Sequence, residues 1–408
     1  MAEQIPIAAA ADSSGNPMDA AAILERLVAI ARQMVPTLLE RAPGAEELRR
    51  IPDETIRDFT AAGLFRIFLP KRYGGYQLDY GFPQIEIASE LGRGCGSSAW
   101  IFTVTACHNW LVGMYPPQAQ QEVWGEAPDM LCASALVPEQ GRLERVADGY
   151  RLSGRWKFSS DVDAAGWSVI VAPLDNATGA RENVLCLVPK SDYEIIDTWF
   201  VGGLRATGSK DLEVINAFVP DYRVLPLRML RGGETPGSAV NASHIFRLPI
   251  YAVFPYNIST PAIGIARGVI EQFTARARAQ ISSGQRSADS MAVQLRVAEA
   301  AVTVDAGAEL IRRDAEELNR IGRAGESFDY EHRTRYRRDL AYTALSCMRA
   351  VDVIHQASGA HGLFEEFPIQ RAFRDVHAIN AHAALRWDTN GLQSGRIALG
   401  LECSDPTY

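Results

Sequence analysis

Chemistry is most densely written in this chain between Ser134 and Trp167, where GRWKFSSDVDAAGW gathers Trp156, Phe158, Ser159 and Ser160 within five positions. An apolar ring beside two small hydroxyl donors suits a flat heterocycle that needs both stacking and in-plane hydrogen bonds. The same packet also fits a hairpin with a polar edge, and alone it does not separate the two. His108, in TACHNWL, lies in an apolar, aromatic-flanked stretch, where a neutral imidazole is costly without a partner. It is either a satisfied core histidine or an acid–base group tuned near neutrality. Ser134, in LCASALVP, reads as a strand serine. His377 and His382 stand five apart in RDVHAINAHAALRWD. On a helix at ~100° per residue they diverge by roughly 140°, which argues against a shared metal. The short loop around Gly359 and Gly362 could present backbone N–H groups to a phosphate.

Three blocks must position these side chains, behind a loose leader over residues 1–18. Residues 19–129 read as helical. AAAILERLVAIARQMVPTLLERA carries apolar residues at helical spacing, with Pro36 placed to kink or end the first segment. A second helix starts near Pro52-Asp53, and a Gly/Pro/Tyr-rich loop leads to one long helix, FPQIEIASELGRGCGSSAWIFTVTACHNWLVGMY. Pro116-Pro117 precedes a last short helix, QAQQEVWGE. Over residues 130–240 the period changes to two, with WSVIVAPL, NVLCLVPK, YEIIDTWF and LEVINAFVP as strands. Turns fall at Ala147-Asp148-Gly149 and Ser153-Gly154, giving a β-sandwich or barrel. Residues 241–408 return to long amphipathic helices, the pattern of a four-helix bundle, with RAFRDVHAINAHAAL as one member. The fold class is α+β, mainly α.

Composition narrows the function classes. A formal net charge of -8 over 408 residues argues against broad electrostatic binding to nucleic acid or acidic membranes. The six cysteines form no CxxC pair and no metal-finger spacing, as in a reducing compartment. No apolar run approaches the roughly 18–20 residues that span a bilayer, and the leader lacks the regions of a signal peptide. The expectation is a soluble, cytoplasmic protein without a metal.

The order helical, β, helical resembles the acyl-CoA dehydrogenase fold. GLFRIFLPKRYGGYQLDY and IASELGRGCGSSAW look like its N-terminal signature. GRWKFSSDVDAAGW looks like its flavin wall, GGLRATGSKDLEVINAFVP like its mid-domain strand pair, and QASGAHGLFEEFPIQRAFRDV like its Gly loop and Arg-Asp helix. The variants present are most similar to the oxygenase components of two-component flavin-dependent monooxygenases. That group includes 4-hydroxyphenylacetate 3-hydroxylase and the hydroxylases of steroid-derived phenols.

The resemblance implies FMNH2 or FADH2 supplied by a separate NAD(P)H:flavin reductase, O2 added at the flavin C4a position, and oxygen delivery to an aromatic small molecule. It implies that His108 faces the substrate phenol, that Ser134 contacts flavin and substrate hydroxyl, and that His382 is the second active-site histidine. Ser159 would approach flavin N5, with Trp156 and Phe158 as the wall and Ser160 beside them. Thr207 and Ser209 would lie at the site edge, unless RATGSKD is a plain turn. The Gly359–Gly362 loop would reach flavin across a subunit boundary, implying a homotetramer, and Arg278 would meet the flavin phosphate in competition with Arg276 and Arg286. In dehydrogenases of this fold a catalytic Glu follows a similar Arg-Asp helix; here that position falls near Ala383. A flavin-linked acyl-CoA dehydrogenase and a non-catalytic binding protein are the rival readings.

Overall fold

The Asp19 carboxylate accepts the Ala22 N–H at 2.8 Å and so starts α1 (Ala20–Leu48). The computed structural model describes residues 19–137, 141–175, 181–282, 285–405 and 407; the leader lies outside them. Helix α1 runs through Pro36 and Pro43 instead of stopping at the first. A proline inside a helix costs about 3 kcal/mol. Burial of Leu27, Ile30, Met34 and Leu38 along one face offsets it, since each such side chain contributes roughly 1.5–3 kcal/mol. Helix α2 (Asp53–Ala61) follows.

The long helix expected next is two, α3 (Phe82–Gly94) and α4 (Gly96–Val112), broken at an extended Cys95 (φ -154°, ψ 116°). Close packing explains the break. A Cβ on Gly92 would lie 2.9 Å from the Gly264 Cα, and one on Gly94 would lie 2.7 Å from the Val35 carbonyl oxygen. The chain must turn there, and the turn drives α4 into the interior, where all its residues are buried. The short α5 (Pro117–Trp124) closes this part.

The β-region is a sandwich of two four-stranded sheets. One has the order β1 (Cys132–Ala135), β4 (Trp167–Asp175), β5 (Arg181–Pro189), β8 (Val224–Pro226), with β1 and β4 parallel. The other runs β2 (Gly141–Val146), β3 (Gly149–Ser159), β7 (Lys210–Pro220), β6 (Glu194–Ile196). Between them lies a separate core of Leu152, Trp156, Ile170, Val184, Leu212 and Val214. Ser153-Gly154 is not a turn but a bulge inside β3, where the register against β7 shifts. YEIIDTWF yields only the three residues of β6; Trp199 and Phe200 stand in the following loop.

Residues 227–249 cross back over the N-terminal helices, where the Trp110 indole donates to the Ile245 carbonyl at 2.6 Å and Asn241 to that of Gly113 at 2.7 Å. After the short α6 (Ile250–Val253) come α7 (Pro255–Ala279), α8 (Met291–Ala324), α9 (Tyr330–Ala357), α10 (Pro368–Asn380) and α11 (Trp387–Ala398). Helices α7 to α10 form the expected bundle, and their core is continuous with that of the N-terminal helices. The segment RAFRDVHAINAHAAL does not stay helical to its end. Helix α10 stops at Asn380, whose side-chain amide donates to the Ala344 and Val376 carbonyls.

Candidate active site

His108 and Ser134 come from different domains and meet. Helix α4 presents the imidazole and β1 the hydroxyl, with Ser134 Oγ 2.8 Å from His108 Nε2. On the other side of the ring, Nδ1 stands 2.6 Å from the Cys132 carbonyl oxygen. A carbonyl only accepts, so Nδ1 carries the proton and Nε2 is left as a lone pair that takes the Ser134 O–H. Burial pushes this imidazole down to about 4, with the Cys132 carbonyl pulling the other way. His108 is therefore a neutral, partnered histidine, and of the two readings open in the sequence it departs from the one that tunes it near neutrality. Ser134 keeps its own lone pairs free to accept a hydrogen bond.

A second cluster joins four elements. The Trp100 indole N–H donates to Ser160 Oγ at 3.2 Å; Ser160 and Ser209 lie 2.7 Å apart, as do Ser209 and Thr207. Thr207 donates to the Leu204 carbonyl at 2.9 Å. Leu204, left-handed at φ 51°, gives its N–H to Asp375 Oδ1 at 2.6 Å. The two hydroxyls of RATGSKD are buried and bonded to Ser160 and the Leu204 carbonyl, while the Leu204 N–H carries the link to the bundle. Beside them Asp161 (φ 59°) accepts from Thr105 at 3.1 Å. Burial pushes the carboxyls of Asp161 and Asp375 each up to about 7.

The flavin-wall expectation divides. Trp156 cannot be part of a wall: its ring is enclosed between the sheets, its N–H donates to the Val171 carbonyl at 2.8 Å, and a Cβ on Gly141 would collide with it. The period of two explains this, since Trp156 and Phe158 straddle a second bulge before Ser159 and no longer share a face. Phe158, at φ 65°, is pushed outwards, 60% exposed, its edge against Trp199 at 6.3 Å. Ser159 is fully buried and its hydroxyl has no partner among the described residues.

His382 lies on the turn after α10, half-buried, with its ring 5.9 Å from that of Trp100. Its Nδ1 accepts the Ala384 N–H at 3.1 Å, so Nε2 carries the proton and His382 offers a donor. Burial pushes it down to about 4. Trp100 and His108 are eight residues apart on α4, which is ~12 Å along the axis. His382 therefore packs against α4 about two turns before His108. His377 bonds the Phe373 carbonyl at 2.7 Å and faces Asp352, a structural setting.

Gly359 (φ 58°) opens a one-turn 3-10 helix, Gly359–Leu363, and the Gly362 carbonyl stands 3.2 Å from His355 Nε2. Arg276 lies 4.4 Å above the ring of Phe367, the residue before α10. Arg278, two residues on and so ~200° round the helix, is exposed on another face. Trp100, Thr105, Asp161 and Asp375 escaped the sequence reading. The tryptophan was visible in GSSAW and the aspartate in the Arg-Asp pair, but nothing local marked either as a partner of distant hydroxyls.

Two family models match: the acyl-CoA dehydrogenase N-terminal domain over residues 19–127 and its C-terminal domain over residues 256–387. The chain is 33% identical over 378 residues to a flavin-dependent monooxygenase oxygenase subunit, HsaA, of Rhodococcus jostii, covering 91% of this chain and 98% of that one. It is 34% identical over 390 residues to the oxygenase component of an FADH(2)-dependent resorcinol hydroxylase from Rhizobium sp., covering 92% and 95%. Among solved structures, the HsaA monooxygenase of M. tuberculosis superposes with a TM-score of 0.89 at 32% identity, covering 94% of this chain and 100% of that one.

Proposed function

The chain belongs to the acyl-CoA dehydrogenase family, among the oxygenase components of flavin-dependent monooxygenases, and on that premise we propose that it hydroxylates a phenolic or fused-ring aromatic small molecule. Its cosubstrates are O2 and FMNH2 or FADH2 delivered by a separate NAD(P)H:flavin reductase. The related proteins are named as flavin-dependent oxygenase components, and one as a resorcinol hydroxylase. The observation that carries the phenol reading is the Ser134–His108–Cys132 relay.

A reduced flavin fits the residues present. Ser159 offers a buried hydroxyl still lacking a partner, and the exposed Phe158 ring offers a stacking face. Bound there, the flavin supplies activated oxygen. The protein's own contribution lies at the phenol. Ser134 accepts the phenolic O–H while its own proton leans on His108 Nε2. Complete transfer from a phenol near pKa 10 to an imidazole near 4 is uphill on the order of 8 kcal/mol. The relay therefore polarises the O–H and holds the ring, and the proton follows only as charge develops in the transition state. His382 presents an N–H beside Trp100, suited to a substrate or flavin oxygen. The position near which the dehydrogenases carry their Glu is Ala383, whose methyl group cannot abstract a proton. The working form is a cytoplasmic homotetramer.

The test is to supply photoreduced FMN, O2 and a panel of phenols, and to measure catechol formed per O2 consumed. His108→Ala should release peroxide in place of product. Coupling at the wild-type level in that variant would refute the assignment.

A further inference from the structure

Where α4, α7 and α10 meet, a cavity of about 20 Å³ is lined by Gly96 at the first position of α4, Gln272 of α7, and Pro368, Arg371 and Asp375 of α10. Arg371 is only 6% exposed, yet its guanidinium makes no hydrogen bond or ion pair with any described residue. That group keeps its charge at any pH the fold survives, and a buried charge without a partner is strongly disfavoured. The nearby charges are already engaged. Arg93, also on the wall, pairs with Glu90 and Glu271, and Arg374 pairs with Glu46. Asp375 gives Oδ1 to the Leu204 N–H at 2.6 Å, and burial pushes its carboxyl up to about 7, so it is no full counter-charge. The end of α4 is open as well: its N-cap Cys95 makes no side-chain cap, and the N–H groups of Gly96 and Ser97 find no backbone acceptor among the described residues. A side chain at Gly96 would crowd the space, since its Cβ would stand 2.6 Å from Ile265 Cδ1 and 3.0 Å from Asp375 Oδ2.

We propose that this cavity is a binding site for one small inorganic anion of chloride's size, held by the Arg371 guanidinium and the open end of α4. A guanidinium offers five donors, and the starts of α4 and α10 each bring partial positive charge to the same place. Volume sets the class of ligand. About 10–15 Å³ admits one water-sized particle, so a cavity of about 20 Å³ takes a single halide ion and no phosphate. Gln272 adds to the donors. Its amide oxygen is buried without a partner, and a half-turn of that amide puts N–H2 in the oxygen's place. The ion would tie the first turn of α10 to the first turn of α4. Helix α4 carries Trp100 and His108, and α10 leads to His382, so the ion fixes the spacing of the two elements that hold the histidines. Its place does not depend on the flavin reading above.

Crystals of the full chain soaked in sodium bromide and measured at the bromine absorption edge should show an anomalous peak beside Arg371. In solution, thermal unfolding in sodium chloride is compared with unfolding in sodium gluconate at equal ionic strength, gluconate being too large to enter. Chloride at ten times its dissociation constant favours the folded state about elevenfold, which raises Tm by about 1–2 °C for a chain of this length. Arg371→Met should abolish that rise, and Arg371→Lys, which keeps a positive charge, should retain it. An anomalous map of wild type without a peak in the cavity overturns the site. So does a chloride-dependent rise that is absent from wild type or equally large in Arg371→Met.

Discussion

A buried histidine whose one outward lone pair is already taken by a serine is a proton acceptor at one remove. Removing that serine should cost more than a contact. Ser134→Ala leaves His108 Nε2 buried without a donor, a loss of about 1–3 kcal/mol, and it removes the atom that meets the phenol. The expected result is lower thermal stability together with uncoupled oxygen use; wild-type values of both would sink the relay. Protonation equilibria give a second test. Desolvation holds Asp161 at about 7 in the fold against 3.8 unfolded, opposed by Thr105, aggravated by Asp163 and relieved by Lys190 and Arg50. A raised carboxyl stabilises the fold below 3.8 and loses that contribution as pH rises through 7. His108, lowered to about 4 from 6.5, stabilises above 6.5 and loses its contribution as pH falls towards 4. The two slopes oppose one another across the acid range. Asp161→Asn removes only the first, so its stability relative to wild type should grow between pH 5 and pH 8, by an amount on the order of 3 kcal/mol at most. Urea unfolding at the two pH values measures it, and a difference that does not change with pH would refute the assignment.

At the scale of elements, the site is made by departures from regularity. β3 ends in a bulge that puts Phe158 at φ 65° and turns its ring to solvent. A left-handed conformation costs a bulky residue roughly 1–2 kcal/mol, and such strain persists where function selects it. Asparagine tolerates that conformation. Phe158→Asn should therefore keep or raise the melting temperature while weakening reduced-FMN binding about tenfold, the scale of a lost ring stack. Tighter binding in the variant would contradict a stacking role. These departures also mark what the sequence could and could not disclose. The strands over WSVIVAPL and NVLCLVPK were legible because period two is imposed by burial of one face. The bulges were not, because register belongs to the partner strand, and so Trp156 and Phe158 looked like one wall. Likewise the break at Cys95 depends on how closely α1 and α7 approach α3, which no window of α3 contains. His108 and Ser134 were singled out through family likeness; their tautomer and their contact needed both domains in place.

The whole molecule leaves one regular feature unused by a single chain. Along α8, Met291, Leu295, Ala298 and Val302 are exposed, the three larger ones at 73%, 63% and 64%. They recur at i, i+4, i+7 and i+11, within ~60° of one another on the helix surface. That is the narrow apolar seam of a helix that packs against another helix. The opposite face, through Ala300, Val304, Gly307 and Ile311, is already buried in the bundle. Leu392 of α11 and Leu399 just past its end add further exposed apolar area at 57% and 79%. Exposed apolar stripes on a chain with net charge -8 are best covered by a second copy, since a two-fold axis lets one stripe serve as its own complement. Light scattering should then give the mass of four chains. Substituting glutamate for Leu295 and Val302 together puts like charges across that axis, and the mass should fall to that of two chains or one. Helical content by circular dichroism should hold, because surface substitutions cost a single fold only about 0.5 kcal/mol each. A tetramer that survives the double substitution would place its interface elsewhere, and a wild-type chain that sediments alone would remove the need for one.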